Sequence, residues 1–164
     1  MKEDINFERL YYENYNIVVR ICLGYLKGNE SLAQDLAQEV FVKVWESLGG
    51  FKGNSKLSTW IYRITVNTCL LELRKKKYTS DKNIEDIAEI NNTEVDARKE
   101  NQLKKLHGCI QHLSVEKKAL ILLEMEDVPQ KEIADILGLS HEVVRTRIHR
   151  IKNNLKKCIL NGNI

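Results

Sequence analysis

The chain has 164 residues, 43% hydrophobic and 30% charged, which is enough for one ordinary domain or two small ones and typical of a globular chain rather than a disordered one. Its formal net charge of +3 is weak as a global signal, but basic residues gather from Arg74 to Lys77 and again from Arg145 to Lys157, so two local contacts with a polyanion are expected. No apolar stretch is long enough to span a bilayer and residues 1–15 are too acidic and polar for a signal peptide, so a cytoplasmic location is expected.

Pro129 is the single proline, leucine, isoleucine, lysine and glutamate are abundant, and no run of alternating β-branched residues appears, so the fold class expected is all-α. From Phe7, the apolar residues Leu10, Tyr11, Val18, Ile21, Cys22 and Tyr25 keep helical spacing until Gly28 and Asn29 supply a stop and a new cap. A second helix, about Glu30 to Leu48, places Ala33, Ala37, Val40, Val44 and Leu48 inside and turns Asp35, Gln38, Glu39, Val42 and Glu46 outward. That acidic stripe, interrupted by Val42, suits a basic protein surface, although a solvated face is the commoner outcome for such a pattern.

The segment from Gly49 to Ser55 holds three glycines and reads as a loop. The helix after it, about Leu57 to Lys77, puts Trp60, Ile61, Ile64 and Leu71 on one face and Arg63, Asn67 and Arg74 along an adjoining stripe. A guanidinium and an amide one turn apart, beside a glycine loop and before four basic side chains, could hold single-stranded nucleic acid; a solvated stripe is the equal alternative. Trp60, at the seam of the two faces, reads as core rather than as a stacking platform. Residues 78–101 turn acidic and lose apolar periodicity, as in a flexible linker, with a short helix near Ile84 to Ile90 conceivable.

Periodicity resumes with Leu103, Leu106, Ile110 and Leu113, and Ser114 is placed to cap a helix containing Ala119, Leu122 and Leu123. Pro129 then fits a first helical position, Ile133, Ala134 and Leu137 follow at helical spacing, and Gly138 permits the left-handed turn that ends the helix. Leu139 plugs the corner, Ser140 caps the last helix, and Val144, Ile148, Ile151 and Leu155 form its inward stripe. The opposite side carries Glu142, Thr146, His149 and Arg150, with Val143, Arg145 and Lys152 on the flanks and Arg147 nearer the buried edge. A small residue in the first helix, a glycine turn and a branched anchor in the second are what a helix-turn-helix requires, and Ala134, Gly138 and Val144 supply them. An ordinary helical hairpin with a basic face is the plainer reading.

The cysteines Cys22, Cys69, Cys109 and Cys158 form no CxxC pair, so no metal site is expected and they read as buried, reduced thiols. His107, His112, His141 and His149 are scattered on helices, no nucleophile stands with a base and an orienting group, and neither enzymatic activity nor a cofactor is expected.

Taken together, the two halves resemble the extracytoplasmic-function (ECF) group of bacterial sigma factors within the sigma-70 family, and the likeness covers nearly the whole chain. It rests on Asp35-Leu36-Ala37-Gln38-Glu39-Val40-Phe41, Trp45, Phe51, Gly53, Ser55, Trp60, Arg63, Ile64 and Asn67 in the first half, similar to regions 2.2 to 2.4. In the second half, Glu132-Ile133-Ala134, Gly138, Ser140, Val144, Arg145, Arg147 and Arg150 are similar to region 4.2. The resemblance implies domains at 1–77 and 102–164 joined by the linker 78–101, and partners in core RNA polymerase, promoter DNA and an anti-sigma factor, which is often membrane-bound and would then hold the chain near a membrane. It implies that Asp35, Gln38, Glu39, Val42 and Trp45 dock on the polymerase clamp. Asn54, Ser55, Lys56, Arg63, Asn67 and Arg74 would hold an unstacked base of the −10 element. His141, Glu142, Arg145, Thr146, Arg147, His149 and Arg150 would enter the major groove at the −35 element.

Two positions depart from the family pattern: Glu142-Val143 stands where many relatives have Gly-Thr, and Pro129 stands where a hydroxyl cap is common. Glu142 could accept from a cytosine amino group or only balance Arg145 and Arg150. The C-terminal motif alone would also permit a two-module transcriptional regulator that is not a polymerase subunit, with the first module as a sensor; the acidic helix, the glycine loop and the Arg63 and Asn67 stripe argue against it.

Overall fold

The computed structural model describes residues 5–79 and 97–161, and every regular element in them is helical. Asn6 opens α1 (Phe7–Tyr25) by accepting the Arg9 N–H at 3.3 Å, and Lys27 and Gly28 then take positive φ, which turns the chain into Asn29. Asn29 in turn accepts the Leu32 N–H at 3.2 Å and starts α2 (Glu30–Ser47), so a single short connection contains both a stop and a cap. A 3₁₀ turn at Leu48–Gly50 and the loop beyond it lead to α3 (Leu57–Thr79). Phe51 packs on Trp60 with ring centroids 5.1 Å apart, which pins the loop to the first turn of α3.

The second half comprises α4 (Ala97–Gln111), α5 (Val115–Met125), α6 (Gln130–Leu137) and α7 (His141–Asn161). Residues 78–79 and 97–101 of the expected linker are therefore helical, and the short helix conceived near Ile84 to Ile90 lies outside the described residues. Ser114 caps α5 by accepting the Lys117 N–H, and Gly138 ends α6 at φ +68°. Pro129 sits one position earlier than expected, as the residue before α6, where its fixed φ shapes the approach and it contributes no side-chain cap.

α1, α2 and α3 pack on one another, as do α5, α6 and α7, with α4 laid on α7. The two groups of helices also pack together: α1 touches α4 and α5, and α3 touches α6. Gly24 allows a close approach here, since a Cβ there would fall 2.7 Å from Leu122 Cδ1 and 3.1 Å from its Cγ. The apolar interior continues across this seam from Val18, Ile21 and Ile61 to Leu123, Ile133 and Ile148, all almost fully buried.

Three expectations about burial need correction. On α3 the inward face consists of Thr59, Ile61, Tyr62, Thr65, Val66, Thr68 and Cys69, while Leu71 is 47% exposed. The apolar pattern misled because threonines occupy core positions, and they can do so because Thr65 and Thr68 donate their hydroxyls to the Ile61 and Ile64 carbonyls at 2.8 and 2.7 Å. Leu103 is likewise exposed and Leu48 only half-buried. The cysteines divide: Cys22 and Cys69 are buried free thiols, but Cys109 and Cys158 are joined in a disulfide, because packing of α4 on α7 brings together positions 49 residues apart in sequence.

Candidate nucleic-acid and protein-docking interfaces

α7 carries an exposed face on a buried footing. Ser140 accepts the Val143 N–H at 3.2 Å, and Val144, Ile148, Ile151 and Leu155 all fall in the core, each worth roughly 1.5–3 kcal/mol as buried side chains. That anchoring leaves His141, Glu142, Arg145, Thr146, Arg147, His149 and Arg150 all exposed on the outer surface of one rigid helix. Arg147, expected nearer the buried edge, is exposed with the others. Arg145, Thr146 and His149 line a shallow hollow on that surface, and His149 lies 3.3 Å from the Asn153 amide one turn on. Side chains able to donate to phosphates and base edges thus project together from a helix of the width a major groove admits.

α2 presents the second face. Asp35, Gln38, Glu39, Val42 and Glu46 are all exposed, and Trp45 is 63% exposed while its ring meets Phe7 edge-on at 5.0 Å. Phe7 joins Tyr11 and Phe41 in an aromatic cluster behind the tryptophan, so Trp45 is held in one orientation although mostly open. Helical period gave no sign of one neighbour: Asp35 and Glu39 share a shallow hollow with Glu72 and Lys76 of α3, so a second helix adds one acidic and one basic side chain to this surface. Glu39 also pairs with Lys43 at 3.4 Å.

The third set of expected site residues is split by the structure. Asn54, Asn67 and Arg74 are exposed and Ser55 is partly so. Lys56 and Arg63 instead meet α6: Lys56 Nζ lies 2.6 Å from Glu132 Oε1, and Arg63 Nη2 donates to the Asp135 carbonyl at 2.8 Å. Thr59 adds a hydroxyl donated to Glu132 Oε2 at 3.3 Å. The first helix of the helix-turn-helix therefore occupies the start of the α3 stripe. Of the acidic residues of α6 only Glu132 brings its carboxylate to this contact, while Asp135 offers its backbone carbonyl, a group that a charge pattern in the sequence does not reveal.

Other bonds close the same seam. Arg20 donates through Nε and Nη2 to both oxygens of Glu126 at 2.8 Å, and the hydrogen bond to this carboxylate is the main cause raising the Arg20 guanidinium pKa, with burial opposing. Gln111 donates to the Gly24 carbonyl at 3.0 Å and accepts from the nearly buried Lys118. Beneath them Tyr62 donates to Asn14 Oδ1, its hydroxyl pKa pushed up by burial first and by Glu126 and Glu132 next. Among the described residues no cluster of histidine, cysteine, aspartate or glutamate could hold a metal ion, and no helix is long and apolar enough to cross a membrane.

Comparison with known proteins agrees with this layout. Residues 10–79 match the family model of Sigma-70 region 2, and residues 103–155 match that of Sigma-70, region 4. The chain is 32% identical over 169 residues to the RNA polymerase sigma factor YlaC of Bacillus subtilis, an alignment covering 96% of this chain and 94% of that protein. It is 31% identical over 159 residues to the ECF RNA polymerase sigma factor SigW of the same organism, covering 85% of this chain and 81% of the other. The fold is that of the sigma factor RpoE solved with the anti-sigma factor NepR from Bartonella quintana, with a TM-score of 0.76 at 20% identity over 94% of this chain and 96% of that one. With two family regions matched in order on two packed helical groups, and relatives aligned along nearly their whole length, the chain belongs to the sigma-70 family of RNA polymerase sigma factors, in its extracytoplasmic-function group.

Proposed function

We propose that this chain binds core RNA polymerase and directs it to promoters, with each of the three faces carrying one contact. The exposed α2 surface of Asp35, Gln38, Glu39, Val42 and Trp45 docks on the polymerase. The loop and stripe of Asn54, Ser55, Lys56, Arg63, Asn67 and Arg74 hold the opened −10 strand. The outer face of α7, from His141 to Arg150, reads the −35 element. The observation that carries the reading is α7 itself: a capped helix fixed by four buried anchors, whose outer face offers arginines, a threonine and histidines to solvent.

Lys56 and Arg63 are engaged by Glu132 and the Asp135 carbonyl, so contact with DNA through them requires these bonds to open. On this reading α3 and α6 part when polymerase and promoter bind, and the released cations then pair with phosphate. Family membership also supports a protein partner of the anti-sigma kind. Transcription in vitro with purified bacterial core polymerase, followed by mapping of start sites, tests the proposal. Promoter-directed RNA that depends on this chain is expected, and core enzyme that starts no such RNA on any genomic template would overturn it.

A further inference from the structure

Two cysteine pairs lie in different surroundings. Cys69 in α3 donates its thiol to Cys22 in α1 at 3.7 Å with both side chains fully buried; the hydrogen bond to Cys22 first and burial second push the Cys69 thiol pKa up. Cys109 in α4 and Cys158 in α7 are bonded, with Cα atoms 6.1 Å apart. This second pair is accessible at one end: Cys158 is only partly buried near the end of α7, whereas Cys109 is 8% exposed. Exposed lysines adjoin both, Lys157 directly before Cys158 and Lys105 one turn before Cys109, and positive neighbours favour the thiolate that exchange chemistry requires.

We propose that Cys109 and Cys158 form a reversible oxidation site, closed by small-molecule disulfides of the glutathione type, that sets how firmly α4 is held against the recognition helix. In the closing direction the Cys158 thiolate attacks one sulfur of the small disulfide, forming a mixed disulfide and expelling one thiolate. The Cys109 thiolate then attacks the Cys158 sulfur and expels the second. Two protein thiols and one small disulfide become one protein disulfide and two small thiols, with two electrons passing from protein to oxidant; excess small thiol runs the sequence backwards.

The consequence follows from placement. Val144 and Ile148 anchor the reading half of α7 whichever state the cysteines hold, so oxidation leaves the reading face in position. α4 is different, since its main attachments are to α7 and, through Gln111, to the Gly24 carbonyl of α1. A cross-link between positions 49 residues apart removes entropy from the unfolded chain and keeps α4 on the C-terminal end of α7. The site thus acts on the stability of the four helices that carry the reading face.

The test uses the full chain in glutathione buffers of varied ratio, quenched by alkylation after denaturation, with mass spectrometry locating the labels. Oxidised glutathione should protect Cys109 and Cys158 and leave Cys22 and Cys69 to be labelled, and millimolar reduced glutathione should restore labelling of all four. The thermal midpoint of native aliquots set aside before the quench should drop on the order of 10 °C on reduction. Cys109→Ser with Cys158→Ser should melt at the reduced value in either buffer, and Cys22→Ala should leave the response intact. Labelling of all four cysteines after oxidation, a bond that survives excess reduced glutathione, or equal melting of the two wild-type samples would each overturn the proposal; none depends on the variants folding.

Discussion

Gly24→Ala is the sharpest perturbation of the closed seam, because it touches none of the proposed DNA or polymerase contacts. The new Cβ would lie 2.7 Å from Leu122 Cδ1 and 3.1 Å from Cγ, so the Leu122 side chain, which is itself buried, has to shift within the packed interior to admit it. Overpacking of this kind costs roughly 1–3 kcal/mol. Alanine also favours helix over glycine by about 1 kcal/mol, but that gain is present whether the seam is closed or open, whereas the clash exists only when it is closed. The closed-to-open ratio should therefore fall roughly 5- to 150-fold, at 1.4 kcal/mol per decade. Small-angle scattering should show a larger radius of gyration, and amide exchange should speed up in α6 while α1 and α2 stay protected. Affinity for a single-stranded −10 oligonucleotide should rise by no more than the same factor, as Lys56 and Arg63 are freed from Glu132 and Asp135. A folded variant with unchanged scattering and unchanged oligonucleotide affinity would mean that the seam tolerates a methyl group or does not cover the stripe.

Other tests address single groups. Asp35→Ala with Glu39→Ala should weaken binding to core polymerase while the second half binds duplex DNA as before; equal affinity for core enzyme would remove α2 from the docking surface. Arg147→Ala should weaken duplex binding across sequences and reduce the slope of log affinity against log salt by about 1, and an unaltered slope would deny it a phosphate contact. The Tyr25 hydroxyl is buried with no hydrogen-bond partner among the described residues, and burial drives its pKa upward, so Tyr25→Phe should raise unfolding stability by about 1 kcal/mol; a loss would show that the hydroxyl has a partner. Burial first and Lys27 second hold the Lys118 ammonium pKa below its ordinary 10.5. Between that lowered value and 10.5 the unfolded chain binds more protons than the folded one, so wild-type stability should rise with pH there relative to Lys118→Met. Parallel stability curves for the two proteins would contradict this.

Features that depend on local chemistry were legible in the amino-acid order. Helix starts at Asn29, Ser114 and Ser140 and the stop at Gly138 follow from side-chain oxygens that satisfy free N–H groups and from a backbone angle that glycine adopts at little cost. The stripe Val144, Ile148, Ile151 and Leu155 was legible because all four positions recur on one side at the helical period, and the outward α2 face was legible for the same reason. Periodicity failed on α3, where threonines bonded to their own helix took core positions and Leu71 turned outward.

Which groups distant in sequence meet was settled by the packing of the helices. That α6 seats Glu132 on Lys56 and the Asp135 carbonyl on Arg63, that Gly24 admits Leu122, and that Cys109 reaches Cys158 all depend on how helices cross. Helical period specifies the face a residue occupies and carries no information about the helix that will cover it. A carboxylate remote from a cation in sequence becomes its partner only when the packing of helices brings the two together, and that is a property of the assembled core rather than of either segment.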